Sequence, residues 1–143
     1  MSEKRKVIAI SGGFDPVHIG HVQMIKEASK WGIVTVVINS DEWLMRKKGY
    51  VFMTFDDRCE IIQGIAGVKK VVEVDDSDGT VVEAIQKYEP DIFGNGGDRT
   101  MKNTPEITIC EKLEIETLWG LGGGKIRSSS DIVESAKDEK LPI

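Results

Sequence analysis

The chain has 143 residues, of which 40% are hydrophobic and 30% charged, enough for one domain with a real core and ordinary for a soluble globular protein. A net charge of −5 removes any general electrostatic case for DNA or RNA as partner, so an anionic ligand needs a local basic cluster. No apolar run approaches membrane-spanning length, and the charged start Met1-Ser2-Glu3-Lys4-Arg5-Lys6 leads straight into a strand, so the expectations are a cytoplasmic chain and no membrane partner.

Lys6-Val7-Ile8-Ala9-Ile10 reads as a buried strand bounded by a glycine pair. The stretch Ser11-Gly-Gly-Phe-Asp-Pro-Val-His-Ile-Gly-His21 then leads into a helical pattern. Val22, Ile25, Ala28 and Ser29 share one face of it, and Gln23, Lys26, Glu27 and Lys30 the other. Gly32 ends this helix, and Ile33 to Asn39 is a second buried strand. A strand–helix–strand unit with short links implies a right-handed crossover and a parallel pair. Ser40 to Met53 reads as a polar, cationic segment with Arg46-Lys47-Lys48-Gly49. Thr54 caps a helix, with Asp57 in the capping-box position, that Arg58, Ile61, Ile62 and Ile65 carry to Gly67. Lys70 to Val74 is a third strand, followed by the acidic turn Asp75-Asp76-Ser77-Asp78-Gly79. Val81 to Tyr88 is a helix stopped by Pro90, and Asp91-Ile92-Phe93 a short fourth strand ending in the loop Gly94 to Arg99. Thr104 and Pro105 open another helix. Glu114 to Leu118 is a fifth strand, Gly120 to Lys125 a glycine-rich loop, and Ser128-Ser129-Ser130-Asp131 the start of a last helix. The end, 137–143, reads as a frayed tail of a single domain spanning 1–143.

Alternating strands and helices predict an α/β three-layer sandwich around a five-stranded parallel sheet. Ligands in such sheets sit beyond the strands' C-terminal ends, where strand order reverses. The turns after strands one, four and five are the richest in Gly, Asp, His and Ser, and all open on that edge. Cys59 and Cys110 stand apart, without C-x-x-C spacing, and read as reduced packing residues. Trp31, Trp43 and Trp119 read as packing residues too, with an acceptor-site role open for Trp119.

The chemistry concentrates at the first helix's start. Gly12 and Gly13 let backbone approach a ligand closely. His18 and His21 lie one helical turn apart, above unpaired N–H groups and the positive end of the helix dipole. Two imidazole donors placed there suit phosphate oxygens on which negative charge builds.

Gly-x-Phe-Asp-x-x-His-x-Gly-His after a first strand resembles the signature of the nucleotidyltransferase superfamily. That superfamily includes glycerol-3-phosphate cytidylyltransferases and heptose-1-phosphate adenylyltransferases, and its sheet is Rossmann-like. The letters His18-Ile19-Gly20-His21 also match class I aminoacyl-tRNA synthetases, for which this chain is far too short. The resemblance covers Lys6 to about Glu134. It implies His18 and His21 as catalytic donors, with Gly12, Gly13, Phe14, Asp15 and Gly20 shaping the nucleotide site around them. Asp15 either caps the turn or helps place a magnesium-bound triphosphate, and Phe14 also reads as core. Lys48 matches the lysine that closes over the triphosphate, against a plain solvated loop. Arg58 resembles an arginine facing the phosphates, against a surface helix position. Gly97 and Asp98 match a Gly-Gly-Asp run set against base and ribose. Lys125, Ser128, Ser129 and Ser130 match a C-terminal phosphate-binding block whose hydroxyls stand at a helix start. Arg127 stands where the family carries Ile. It counts with the catalytic candidates, the choice between phosphate contact and packing staying open.

The resemblance implies transfer of a CMP or AMP group from CTP or ATP to a phosphorylated small molecule, with release of pyrophosphate. Mg²⁺ arrives with the nucleotide. It also implies a homodimer, but fixes neither nucleotide nor acceptor. The rival reading is a non-catalytic nucleotide-binding regulatory module on the same fold.

Overall fold

The computed structural model describes residues 5–97 and 99–122. Five parallel strands form one sheet: β1 (Val7–Gly12), β2 (Ile33–Ile38), β3 (Val68–Glu73), β4 (Ile92–Gly96) and β5 (Glu116–Leu121). Their order is β3-β2-β1-β4-β5, with every adjacent pair parallel. The chain builds outward from β1 in one direction, then returns to its other side. The C-terminal ends of β1 and β4 therefore flank the reversal point where such sheets bind ligands.

Helices cover both faces, giving the three layers and Rossmann-like sheet expected. On one face α1 (Ile19–Ala28) and α3 (Phe55–Gln63) pack Ile25, Ala28 and Ile62 on Ile8, Ile10, Val34 and Val36. On the other, α4 (Val82–Tyr88) and α5 (Ile107–Lys112) pack Ala84, Ile85, Ile109 and Cys110 on Ala9, Val37 and Phe93. Alternate residues of β1 thus enter two different cores, which is why its sequence is apolar throughout rather than alternating. Both cysteines are free thiols; Cys110 is buried and Cys59 partly so.

Several boundaries differ from the sequence reading. The segment taken as a polar loop holds a helix, α2 (Asp41–Lys48). Its charges follow the helix dipole, with Asp41 and Glu42 in the first turn and Arg46, Lys47 and Lys48 in the last. The Ser40 side chain caps its start, and Gly49 at φ 83° closes its end. Only Leu44 of α2 is buried, so no hydrophobic stripe announced it. The helix capped by Thr54 ends at Gly64 rather than Gly67. β4 continues through Gly94 and Asn95 to Gly96, because Gly94 pairs with Leu118 of β5.

Thr104-Pro105 forms a turn, and α5 starts only after Glu106, whose carboxylate is held elsewhere. β5 starts at Glu116, not Glu114. Glu114 adopts a left-handed φ of 56° as the chain leaves α5, and pairing resumes where the Glu116 N–H reaches the Asp91 carbonyl. Trp31 is half exposed, contrary to a packing role. It follows the end of α1, beyond the face that meets the sheet.

Candidate active site

His18 is the N-cap of α1, with extended backbone (φ −144°, ψ −179°). Its Nδ1 accepts the Gly20 N–H at 3.0 Å. In return the His18 N–H donates to Nδ1 of His21 at 3.1 Å. The two imidazoles thus form a reciprocal capping box in which Ser and Glu usually serve. The consequence is chemical. A ring nitrogen that accepts an N–H carries a lone pair, so each neutral ring bears its proton on Nε2. The ring centroids are 3.9 Å apart with a 32° tilt, so the two imidazoles lie side by side at the helix start.

Burial keeps His21 neutral. Its pKa falls from 6.5 to about 3, first through desolvation and then through the charges of His18 and Lys48. It is a neutral hydrogen-bond donor at physiological pH. Phe14 sets its position: at φ 53° the buried Phe14 turns its ring edge-on to His21, with centroids 4.8 Å apart. The same ring explains Gly12, where a Cβ would stand 3.3 Å from Phe14. At Gly13 a Cβ would meet Leu44 at 3.0 Å and Trp43 at 3.3 Å. Protein side chains fill the space these two glycines leave, so the turn is compact for packing reasons first.

Lys48 closes the site from α2. Its Nζ donates to the Asp15 carbonyl at 2.9 Å, beside the glycine turn. Burial pulls its pKa below the ordinary lysine value, with the Asp15 carboxylate opposing and Lys47 and Arg58 adding to the fall. The Asp15 carboxylate is 1% exposed, and its two oxygens accept the N–H groups of Phe52 and Met53. Of the two roles weighed for Asp15, the geometry matches the turn cap, here reaching across to the loop before α3.

Arg58 is no surface residue. Its side chain is completely buried. Its guanidinium donates to the carbonyls of Met53 (3.0 Å), Gly13 (2.7 Å) and Asn39 (2.8 Å) and to the Asp41 carboxylate (2.7 Å). The planar fork of arginine suits this four-way junction of the β1 turn, the end of β2, the start of α2 and the loop before α3. These bonds turn Arg58 to the protein rather than to the phosphates the resemblance implied.

The other wall is made of backbone. Gly96 ends β4 and Gly97 follows in an exposed turn. Gly122 after β5 donates its N–H to the Glu27 carboxylate at 2.7 Å, tying the end of β5 to α1. Behind this wall Glu106, 3% exposed, accepts the Val81 N–H and pairs with Arg99 at 2.7 Å. Asn95 donates to the carbonyls of Phe93 and Leu118. Its buried Oδ1 has no partner among the described residues.

The structure brings together Gly12, Gly13, Phe14, Asp15, His18, Gly20, His21, Lys48 and Arg58, and sets Gly97 at the end of β4. The expectations for Asp98, Lys125, Arg127, Ser128, Ser129 and Ser130 fall outside the described residues. Sequence reading missed Asn39, Asp76 and Glu106 as buried polar residues. Asp76 was hidden in an acidic run, and Glu106 behind Pro105. Among the described residues no group of three or more His, Cys, Asp or Glu converges as a metal cage, and no helix is long and apolar enough to cross a membrane.

Residues 9–134 match the family model described as cytidylyltransferase-like. A bifunctional HldE protein of Wolinella succinogenes is 33% identical over 137 residues, 93% of this chain but 27% of the relative. The chain thus spans about a quarter of the HldE relatives it matches. An FAD synthase of Thermococcus kodakarensis is 31% identical over 121 residues, 81% of this chain and 75% of the relative. The crystal structure of a lipopolysaccharide core biosynthesis protein from Thermoplasma volcanium superposes with a TM-score of 0.68 at 21% identity. It covers 81% of this chain and 96% of the other, a likeness of fold.

Proposed function

Because the chain belongs to the cytidylyltransferase-like family, we propose that it is a nucleotidyltransferase. It transfers CMP or AMP from CTP or ATP to a phosphorylated small molecule. A phosphate oxygen of the acceptor attacks the α-phosphorus in line. The new P–O bond forms as the bond to the β-phosphate oxygen breaks, and pyrophosphate leaves with that electron pair. No side chain forms a covalent bond; the protein brings two anions together and stabilises the charge that develops between them.

The observation that carries this reading is the paired capping of His18 and His21. It holds two imidazoles side by side at a helix N-terminus, a preorganised place for charge building on the α-phosphate. Lys48 supplies a point charge from the last turn of α2, held at the Asp15 carbonyl. In this reading Asp98 and Gly97 meet ribose and base, and Lys125, Arg127 and Ser128 to Ser130 complete the phosphate contacts. Mg²⁺ carried on the triphosphate would neutralise part of its charge. Asp15 has its oxygens on backbone N–H groups, so phosphate oxygens and water would make up most of that ion's shell.

The test is pyrophosphate release from CTP and ATP, each with Mg²⁺ and a panel of sugar, polyol and flavin phosphates. One pair should turn over in the wild type. His18→Ala and His21→Ala should each lower kcat by about two to three orders of magnitude, the usual cost of removing one preorganised donor, with circular dichroism unchanged. Near-normal turnover in both variants, or no pyrophosphate from any pair, removes the reading.

A further inference from the structure

Asp76 follows β3 in a run of acidic residues, yet it is 3% exposed. Its Oδ2 accepts the Ser40 N–H at 2.8 Å and the Asn39 side-chain amide at 3.0 Å. Its Oδ1 accepts the Ser40 hydroxyl at 2.6 Å. That hydroxyl in turn accepts the Trp43 N–H that caps α2. The main-chain carbonyl of Asp76 accepts Arg46 Nη2 at 2.7 Å. One residue therefore grips α2 at its cap and again in its last turn, two positions before Lys48. Little else binds the helix, since Leu44 is its single buried residue. The Arg58–Asp41 pair at 2.7 Å adds a brace at the first turn.

We propose that Asp76 is a positioning residue that sets Lys48 over the glycine turn through α2, an inference that rests on the nucleotidyl-transfer reading of the site. Three donors converge on the carboxylate. A neutral amide in its place offers one oxygen for them and turns an N–H toward a donor. The change is nearly isosteric, so its effect travels through hydrogen bonding rather than volume. Misplacement of a reacting or charge-bearing group by about 1 Å is enough to cost large factors in rate.

The experiment is a double-mutant cycle of Asp76→Asn with Lys48→Ala, assayed by pyrophosphate release well below the melting temperature of every variant. Asp76→Asn alone should lower kcat about tenfold or more. In the Lys48→Ala background it should change kcat by less than about twofold, because the group it acts through is gone. Asp91→Asn removes a carboxylate acceptor for the Val7 N–H at the opposite edge of the sheet and should leave kcat unchanged. Equal fractional losses in both Lys48 backgrounds, or wild-type turnover in Asp76→Asn, overturn the proposal. Should Asp76→Asn not fold, Ser40→Ala, which deletes one of the three donors, carries the same cycle with the same two outcomes.

Hydrogen exchange reads the inference without turnover. Amides of residues 41–48 should lose protection in Asp76→Asn while those of α1 keep theirs, and unchanged exchange in α2 overturns it. A wild type that releases no pyrophosphate would defeat the functional reading and leave this exchange result standing, so the two failures are told apart.

Discussion

Beyond β1 and β2 the turns are held by buried charged side chains, whereas the described ends of β4 and β5 are built largely of glycine. On the first side Arg58, Asp15 and Asp76 bind carbonyls and N–H groups of the turns around them. Lys48 is held beside them at the Asp15 carbonyl, and His18 and His21 by their own reciprocal capping. On the second side the chain runs Gly94, Asn95, Gly96 and Gly97, then Gly120 and Gly122 at φ 71° and 84°. In the proposed nucleotidyl-transfer reading, the difference follows from what each side would meet. Charge that develops during a reaction is stabilised by donors that do not have to reorganise. A flat ligand surface is better met by backbone that carries no Cβ in the way.

Removing the most connected member of the first side has the largest expected effect. Arg58→Met keeps much of the buried stem but strands three carbonyls and a carboxylate. It should destabilise the fold by about 3–5 kcal/mol, as broken buried pairs do. Urea unfolding of Arg58→Met against wild type measures this. A loss below about 1 kcal/mol would mean the turns hold themselves and the contrast is false.

The second side predicts sensitivity to added atoms rather than to lost bonds. A Cβ on Gly94 would stand 2.5 Å from a Leu121 methyl, 3.0 Å from Ile8 and 3.1 Å from Ile10. Gly94→Ala should therefore cost about 1–3 kcal/mol by overpacking. Gly96→Ala, whose nearest neighbour is the flexible Met24 sulfur at 3.1 Å, should cost less. Thermal unfolding of the two variants together checks the order, and a larger loss for Gly96→Ala contradicts it.

The smallest effect per step is a pH slope. Burial lowers the His21 pKa to about 3 in the folded chain, against an ordinary value of 6.5. Between those values the unfolded chain binds a proton that the folded chain refuses. Stability is thus fully present above about pH 6.5 and falls as the pH drops toward 3. The loss is about 1 kcal/mol over the first unit, approaching about 1.4 kcal/mol per unit below that. His21→Asn should flatten this part of the curve, and the His21 ring in the wild type should show no NMR titration between pH 5 and 8. A ring that titrates near 6.5 would mean it is solvated, not held.

How much could be read without coordinates depended on the range of the interactions. The strand–turn–helix unit with its paired histidines was legible because its hydrogen bonds close within three residues, His18 to Gly20 and His21. Helix α2 had local signals too, Ser40 at its cap and Gly49 at its end. With Leu44 alone buried, however, the periodic pattern that announces a helix was missing. The late start of α5 was illegible because Glu106 is drawn to Val81, 25 residues back, which no local rule for Thr-Pro anticipates.

The amino-acid order alone therefore determined the parallel α/β sheet and the two imidazoles at its first helix, since periodicity and capping act between near neighbours. The tertiary structure decided what the buried charges do. Arg58 finds Gly13 across 45 residues and Asp76 finds Ser40 across 36, and only after the sheet has assembled do those partners exist. A charged side chain carries the same chemistry on a surface as in a core. Its role is set by which donors and acceptors folding brings within hydrogen-bond reach once water is excluded.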